Sequence, residues 1–359
     1  MKKHAIIPIF IPHRGCPNDC VFCNQRKITA RQDDVTPENV KETIETWLTT
    51  LEGRVETIEA AFFGGSFTGL PLEEQSAFLA VAKTYKDAGR IHKIHLSTRP
   101  DYIDRPVLDN LRAFDVDVIE LGVQSLDDAV LRTAGRGHDA AVVYESSKLI
   151  QEYGFTLGIQ LMVGLPGSTL ETEIYSAKET VKIGPSIARL YPTVILPETQ
   201  LYHMYQAGVY QPMTEEDAVE RTKEMYKILD DAGIQIIRVG LKSSDILNDT
   251  ETGGAAGTFH PAFRQLVEGA IARESLESQV QKLYPGIQDL HAPGYIPCPT
   301  ALFVSSAKSR NNLFGHGSAN REYFAEHYPQ LNIKYVIDQS VGLNLPEGRY
   351  LVLDTALCE

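Results

Sequence analysis

Short apolar, β-rich runs alternate with longer segments of helical spacing over the first two thirds of the chain. The runs cover residues 5–11, 57–63, 91–96, 116–123, 156–163, 187–195 and 235–239. Helices are predicted over residues 39–51, 72–88, 105–114, 127–133, 140–153, 170–183 and 215–232. Thr36 and Pro37 supply an N-cap and a first-turn proline for the first of these, and Gly89 closes the second. Alternation of this kind predicts an α/β fold: a parallel sheet with right-handed crossovers. Six or seven such units form an open sheet or a partial or full barrel, and in each case chemistry sits at the carboxyl ends of the strands.

The pattern changes at residues 242–260, a polar, Gly-rich and weakly periodic stretch that reads as a boundary loop. Two domains are therefore expected, 1–245 and 246–359. In the second, residues 261–278 read as a helix and 282–300 are rich in Pro and Gly. A strand (301–305), a short helix, a Gly-rich turn (315–318), a helix (319–328) and a strand (333–337) complete the expected small α/β extension.

Composition narrows the class. The chain has 359 residues, 43% hydrophobic and 23% charged, which excludes wholesale disorder, collagen and a disulfide scaffold. The opening MKKHAIIPIF superficially resembles a signal peptide, but Pro8 interrupts the apolar run and Pro12, His13 and Arg14 follow it, so it reads as a buried first strand. No stretch approaches the ~18 apolar residues of a membrane helix, and a cytoplasmic protein is expected. The net charge of −13 argues against nucleic-acid binding by bulk charge. The charge is uneven: from Phe259 onward there are 8 basic and 10 acidic residues, so the extension is near neutral while the first part carries −11.

Five cysteines are present, and Cys16, Cys20 and Cys23 form a CxxxCxxC motif just after the first predicted strand. Where thiols stay reduced, clustered cysteines signal metal binding or catalysis. Three thiolates on one short loop suit an iron–sulfur cluster or zinc. A structural zinc site wants four ligands, for which His13 is the nearby candidate. Three cysteines without a fourth point to a [4Fe-4S] cluster with one open iron.

The string HRGCPNDCVFC, including Phe22 before the last cysteine, resembles the signature of the radical S-adenosylmethionine (SAM) superfamily. The resemblance implies a TIM-like partial (β/α)6-type barrel, SAM on the open iron, and one-electron cleavage of SAM to methionine and a 5′-deoxyadenosyl radical. The cofactor carries that chemistry while the protein supplies ligation and orientation. It also implies an electron donor such as flavodoxin or ferredoxin. Gly64, Gly65 and Ser66 follow the second strand and are similar to the superfamily's Gly-Gly-Glu-type motif for the SAM amino group. By the same resemblance Arg136 faces the SAM carboxylate and Gln124 lines the pocket. Ser97 and Gln160 take the remaining rim positions. Ser97 stands where many relatives have Glu, and Gln160 where coproporphyrinogen-oxidase-like members have Asp.

Residues 98–102 (TRPDY), 120–125 (ELGVQS), 136–138 (RGH), 189–193 (RLYPT) and 199–210 (TQLYHMYQAGVY) together resemble the Elongator catalytic subunit family over roughly residues 1–245. That family couples a radical SAM domain to an acetyltransferase domain that modifies wobble uridine in transfer RNA. The remainder of this chain contains no convincing acetyltransferase segment with a Gly-rich pyrophosphate loop, so the expectation is a stand-alone radical SAM protein acting on a base in tRNA or another RNA. The segment 161–167 (LMVGLPG) supports an alternative, a coproporphyrinogen-oxidase-like enzyme acting on a small molecule or tetrapyrrole. A further alternative is a non-catalytic RNA-binding or metal- or haem-handling protein. The turn Gly315-His316-Gly317-Ser318 resembles a KH-type element, in which a GxxG turn approaches the sugar–phosphate backbone, with Lys308, Arg310 and Arg321 placed to meet phosphates. Tyr191, Tyr202 and Lys242 occupy late-barrel positions. Cys298 and Cys358 have no CxxC partner and read as buried or free thiols.

Overall fold

The computed structural model describes residues 2–11, 16, 20–23, 35–241, 256–257, 259–287 and 299–354. The expectations for His13, Lys242, Cys298 and Cys358 lie outside the described residues. The chain divides into two compact units, Met1–Phe259 and His260–Glu359, a division later than the 245 expected from the sequence.

Unit 1 is built on a seven-stranded sheet: β1 (Lys2–Phe10), β2 (Val55–Phe63), β3 (Lys93–Thr98), β4 (Val118–Gln124), β5 (Thr156–Val163), β6 (Ile187–Pro192) and β8 (Gln235–Val239). The strands lie in chain order and every neighbouring pair is parallel. Stepping always in one direction with right-handed crossovers puts the helices on one face and curls the sheet into a partial barrel. The strands read as near-continuous apolar runs because helices cover one face and the barrel interior the other. All but the last residue of β4 is buried.

Local sequence explains the helix boundaries. Thr36 accepts from the Asn39 amide and Asn39 reciprocates, so the helix Pro37–Leu51 starts with a capping box. Asp104, Asp127, Asp139 and Thr169 accept from first-turn amides of later helices, Thr169 again in a capping box, whereas the helix Leu72–Asp87 starts at Pro71 without a side-chain cap. Gly184, at φ 72°, closes the helix Leu170–Ile183.

Two strand readings change. The run expected over 187–195 breaks at Pro192, whose missing N–H cannot continue the ladder. Beyond it β7 (Val194–Ile195) pairs antiparallel with β9 (Ala256–Gly257), inside the stretch read as loop. Among the described residues no helix is long and apolar enough to cross a membrane.

Gly158 of β5 sits between Glu120 and Ile187 on the flanking strands. A Cβ there would fall 2.6 Å from Glu120 Cγ and 2.9 Å from Ile187 Cγ1. Gly158→Ala is expected to lower the stability of unit 1 by about 1–3 kcal/mol through overpacking. The check is urea unfolding followed by Trp47, the chain's one tryptophan, in the first crossover helix. An unchanged midpoint would show that Glu120 and Ile187 yield without cost.

Unit 2 has a mixed three-stranded sheet, ordered β11 (Asn332–Ile337), β10 (Thr300–Ser305), β12 (Tyr350–Asp354), with β10·β11 parallel and β10·β12 antiparallel. β12 was not foreseen. The helix Phe263–Leu283 contributes Ala272, Leu276 and Val280 to a core with Phe303, Phe324 and Tyr328. The hydroxyls of Tyr323 and Tyr328 both donate to Glu277, at 2.7 and 2.9 Å.

Candidate active site

The cysteine segment follows β1 at the carboxyl end of the sheet. Its described residues are tied down at several points. The Val21 amide donates to the Ala134 carbonyl at 3.1 Å, the Leu201 amide to the Val21 carbonyl at 2.7 Å, and the Cys23 amide to the Cys20 carbonyl at 2.9 Å. Val21 packs with Ile195, Leu201 and Tyr210. Phe22 packs against that group and against a second formed by Val130, Ala134 and Leu165. The aromatic residue of the motif is thus an apolar anchor for the segment.

Cys20 is buried, while Cys16 and Cys23 are half-buried. Two guanidiniums approach Cys20 Sγ: Arg136 Nη1 at 3.1 Å and Arg99 Nη1 at 4.0 Å. Arg99, just after β3, forks onto Asp101 at 2.9 and 2.8 Å and also donates to the Arg136 carbonyl. Arg136 donates a further bond to the Gly122 carbonyl, and its Nε is buried with no protein acceptor. Beside them, His138 is pushed down to about 4 by burial and by the charge of Arg136, so its imidazole is neutral at physiological pH.

The Gly64–Ser66 turn lies next along the rim. Gly64 has φ 103°, a conformation side chains resist. Ser66 is buried; its hydroxyl bonds Thr98 Oγ1 at 2.8 Å and accepts from the Arg99 amide at 3.1 Å. Gly65, Ser66 and Ser97 line one small cleft with Ile11 and Phe63. Gln124 ends β4 at φ 71°, next to a register shift in the β4·β5 ladder. A Cβ on Gly122 would come within 3.1 Å of Gln124 Nε2 and 3.7 Å of Arg136 Nη2. Gln124 and Arg136 therefore sit together over a backbone that must be bare.

Gln160 lies inside β5 and is half-buried. Its Nε2 donates to Glu120 Oε2 at 2.8 Å, joining it to an ionic network that the motif reading passed over. Glu120 also pairs with His95 Nε2 at 2.6 Å and Arg189 at 2.6 Å. Glu59 joins through His95 at 3.3 Å and His4 at 2.9 Å. Arg189 lies over the Phe63 ring at 4.9 Å. Burial alone would raise the Glu120 carboxyl, but His95 and Arg189 outweigh it and hold the group down at about 2. Burial likewise works against a charged His95, yet Glu120 and Glu59 raise its pKa above the ordinary value. The available signal was the recurrence of ionisable residues inside otherwise apolar strand runs, at Glu59, His95, Glu120 and Arg189.

Among the described residues, no three Cys, His, Asp or Glu side chains converge closely enough to hold an ion. The donor chemistry of the cysteine segment nevertheless suits an iron–sulfur cluster. Three soft thiols share one segment, with two guanidiniums placed to offset thiolate charge.

The Radical SAM superfamily profile matches residues 10–177, and a Radical_SAM C-terminal domain profile matches 185–273. A tRNA uridine(34) acetyltransferase of Methanocaldococcus infernus is 27% identical over 185 residues, covering 46% of this chain and 35% of the relative. Human Elongator complex protein 3 is 28% identical over 256 residues, 58% of this chain and 46% of the relative. The chain thus spans about a third to a half of the length of these curated relatives. The solved structure of archaeal M. infernus Elp3 with an N-terminal deletion superposes with a TM-score of 0.61 at 21% identity, over 78% of this chain and 66% of that one. With a parallel partial barrel, a CxxxCxxC segment at its carboxyl rim and these profile matches, the chain belongs to the radical SAM superfamily of enzymes.

Proposed function

We propose that this enzyme binds a [4Fe-4S] cluster through Cys16, Cys20 and Cys23, cleaves SAM reductively, and acts on a base in transfer RNA. The observation that carries the reading is the meeting of Cys20 with Arg136 and Arg99 at the strand ends. When bound, the cluster and SAM would supply one-electron reductive cleavage of SAM and, through it, hydrogen-atom abstraction from the substrate. The chain's own residues hold and shield. The three thiolates are the ligands, and the two guanidiniums beside Cys20 offset their charge. The bare turn at Gly64 and Gly65 leaves backbone polar groups open to the SAM amino group. Arg136, with Nε unpaired by protein, is the group for the SAM carboxylate. Gln124 and Ser97 line the same rim. Val21 and Phe22 pack one flank of the segment against apolar side chains and so help exclude water. Gln160, bonded to Glu120, belongs to the frame beneath.

The substrate class rests on the relatives, which are named for tRNA uridine(34) modification and for Elongator. Their greater length makes acetyl transfer no part of this proposal. The test is anaerobic reconstitution with iron and sulfide, reduction by flavodoxin, ferredoxin or dithionite, and addition of SAM with and without bulk tRNA. The expected result is 5′-deoxyadenosine whose yield rises with tRNA, and a nucleoside that differs between wild-type and deletion strains. Formation of 5′-deoxyadenosine with no tRNA dependence and no altered nucleoside would overturn the substrate, leaving the SAM chemistry standing.

A further inference from the structure

Unit 2 carries a groove that the barrel chemistry does not use. After β10 the chain forms a short helix (Arg310–Phe314), reverses at residues 315–318, and enters the helix Ala319–His327. The reversal runs through left-handed backbone at Gly315 (φ 75°), Gly317 (φ 58°) and Ser318 (φ 72°). A Cβ on Gly315 would fall 2.8 Å from the Asn320 amide nitrogen, whereas one on Gly317 would meet nothing. Gly315 is therefore set by close packing, while Gly317 leaves the tip of the turn bare and open. Buried Asn320 locks the turn by donating to the carbonyls of Gly269 and Asn312 at 2.9 and 3.0 Å.

Beside this turn lies an open groove of about 380 Å³ lined by Gln265, Arg310, Phe314, Gly317, Ser318 and Arg321. Both arginines are exposed and both are held by rings. Arg310 lies over Phe314 at 5.3 Å, and Arg321 lies over Phe314 and Tyr335, at 5.7 Å each. Neither makes an ion pair among the described residues. Nearby cations do: Lys308 pairs with Glu347 at 3.1 Å and Arg264 with Glu268 at 2.7 Å. Two guanidiniums, positioned by aromatic faces and not neutralised, keep their N–H forks for an external acceptor. Paired forks match the oxygens of successive phosphates, and a bare glycine turn lets a sugar–phosphate backbone come close.

We propose that this groove docks the phosphate backbone of a single-stranded RNA segment, with Arg310 and Arg321 as the phosphate contacts. The inference rests on the tRNA reading above and adds where the RNA is held. The near-neutral extension suits the role, because bulk repulsion from the acidic chain is weakest there.

The test is fluorescence-anisotropy titration of full-length protein with bulk tRNA and a labelled single-stranded oligoribonucleotide over a range of salt. Arg310→Gln/Arg321→Gln is expected to weaken both by roughly tenfold or more. The slope of log affinity against log salt should fall by about 1.4, at ~0.7 per phosphate contact on a single strand. Lys308→Gln, removing a charge already paired with Glu347, is expected to change affinity less than twofold. Arg310→Lys/Arg321→Lys guards against misfolding: it retains charge without the fork and should restore part of the salt slope. If wild type binds RNA and the double Gln variant binds equally, the groove assignment fails and the tRNA reading survives. No binding of tRNA by wild type would overturn the tRNA reading and the groove together. Inorganic phosphate competing as well as the oligonucleotide, phosphate for phosphate, would assign the arginines to a small anion and overturn the RNA assignment.

Discussion

Cys20→Ala is expected to abolish both the visible absorbance of the reconstituted protein and all formation of 5′-deoxyadenosine. Cys20 is the buried cysteine of the three and the one that meets the guanidiniums of Arg136 and Arg99. Removing its sulfur takes away a ligand and leaves two cations facing a small void. Alanine is close to the thiol in size, and Val21 and Phe22 keep their apolar partners, so the fold should persist, which circular dichroism can confirm. Arg136→Gln separates ligation from tuning. All three cysteines remain, so the cluster should still form, but activity should fall roughly 10–100-fold, the range seen when a group supporting a metal ligand is removed. The reduction potential of the cluster should also move as positive charge is lost. A Cys20→Ala protein that still produced 5′-deoxyadenosine would end the assignment of the cluster to this motif. An Arg136→Gln protein with wild-type potential and activity would end the role given to Arg136.

Glu120→Gln should cost about 3–5 kcal/mol of unit 1 stability, because it leaves Arg189 and His95 buried without their shared anion. The effect has a pH signature. The Glu120 carboxyl titrates at about 2 in the folded protein against an ordinary 4.5, so its contribution is present above about 4.5 and is lost as pH falls toward 2. The gap between wild type and Glu120→Gln should therefore narrow on acidification. His95 runs the other way. Its folded pKa is raised, so its contribution is full below its ordinary 6.5 and fades as pH rises through the folded value. Urea midpoints followed by Trp47 fluorescence measure both. A variant as stable as wild type at neutral pH would show that the network is not held together by Glu120.

Both predictions turn on side chains from separate parts of the chain. The motif reading marked Cys20 and Arg136 individually, and their positions after predicted strands placed both at the same rim. Nothing local says that they touch, since they are 116 residues apart, and Arg99 is 79 from Cys20. The buried network was harder to read. A parallel strand covered on both faces shows no period-2 alternation, so Glu120 inside an apolar run carries no mark of which side it faces. The β4·β5 register sets Gln160 opposite Gly122, from where its side chain reaches Glu120, a contact that the order of residues along one strand does not show. β12 was missed for a related reason, since it forms by antiparallel pairing to β10 across a separation of nearly fifty residues.

The sequence by itself determined the alternation of strands and helices, their caps, the three-thiol segment and the superfamily. Each of these is set by residues within a few positions of one another, through backbone hydrogen bonding, helix capping and ligand spacing. Only the tertiary structure decided which cations stand beside Cys20, that Glu120 gathers His95, Gln160 and Arg189, and that Arg310 and Arg321 are unpaired over their rings. Those outcomes depend on strand register and on which charges meet across the fold, and local periodicity carries no information about either.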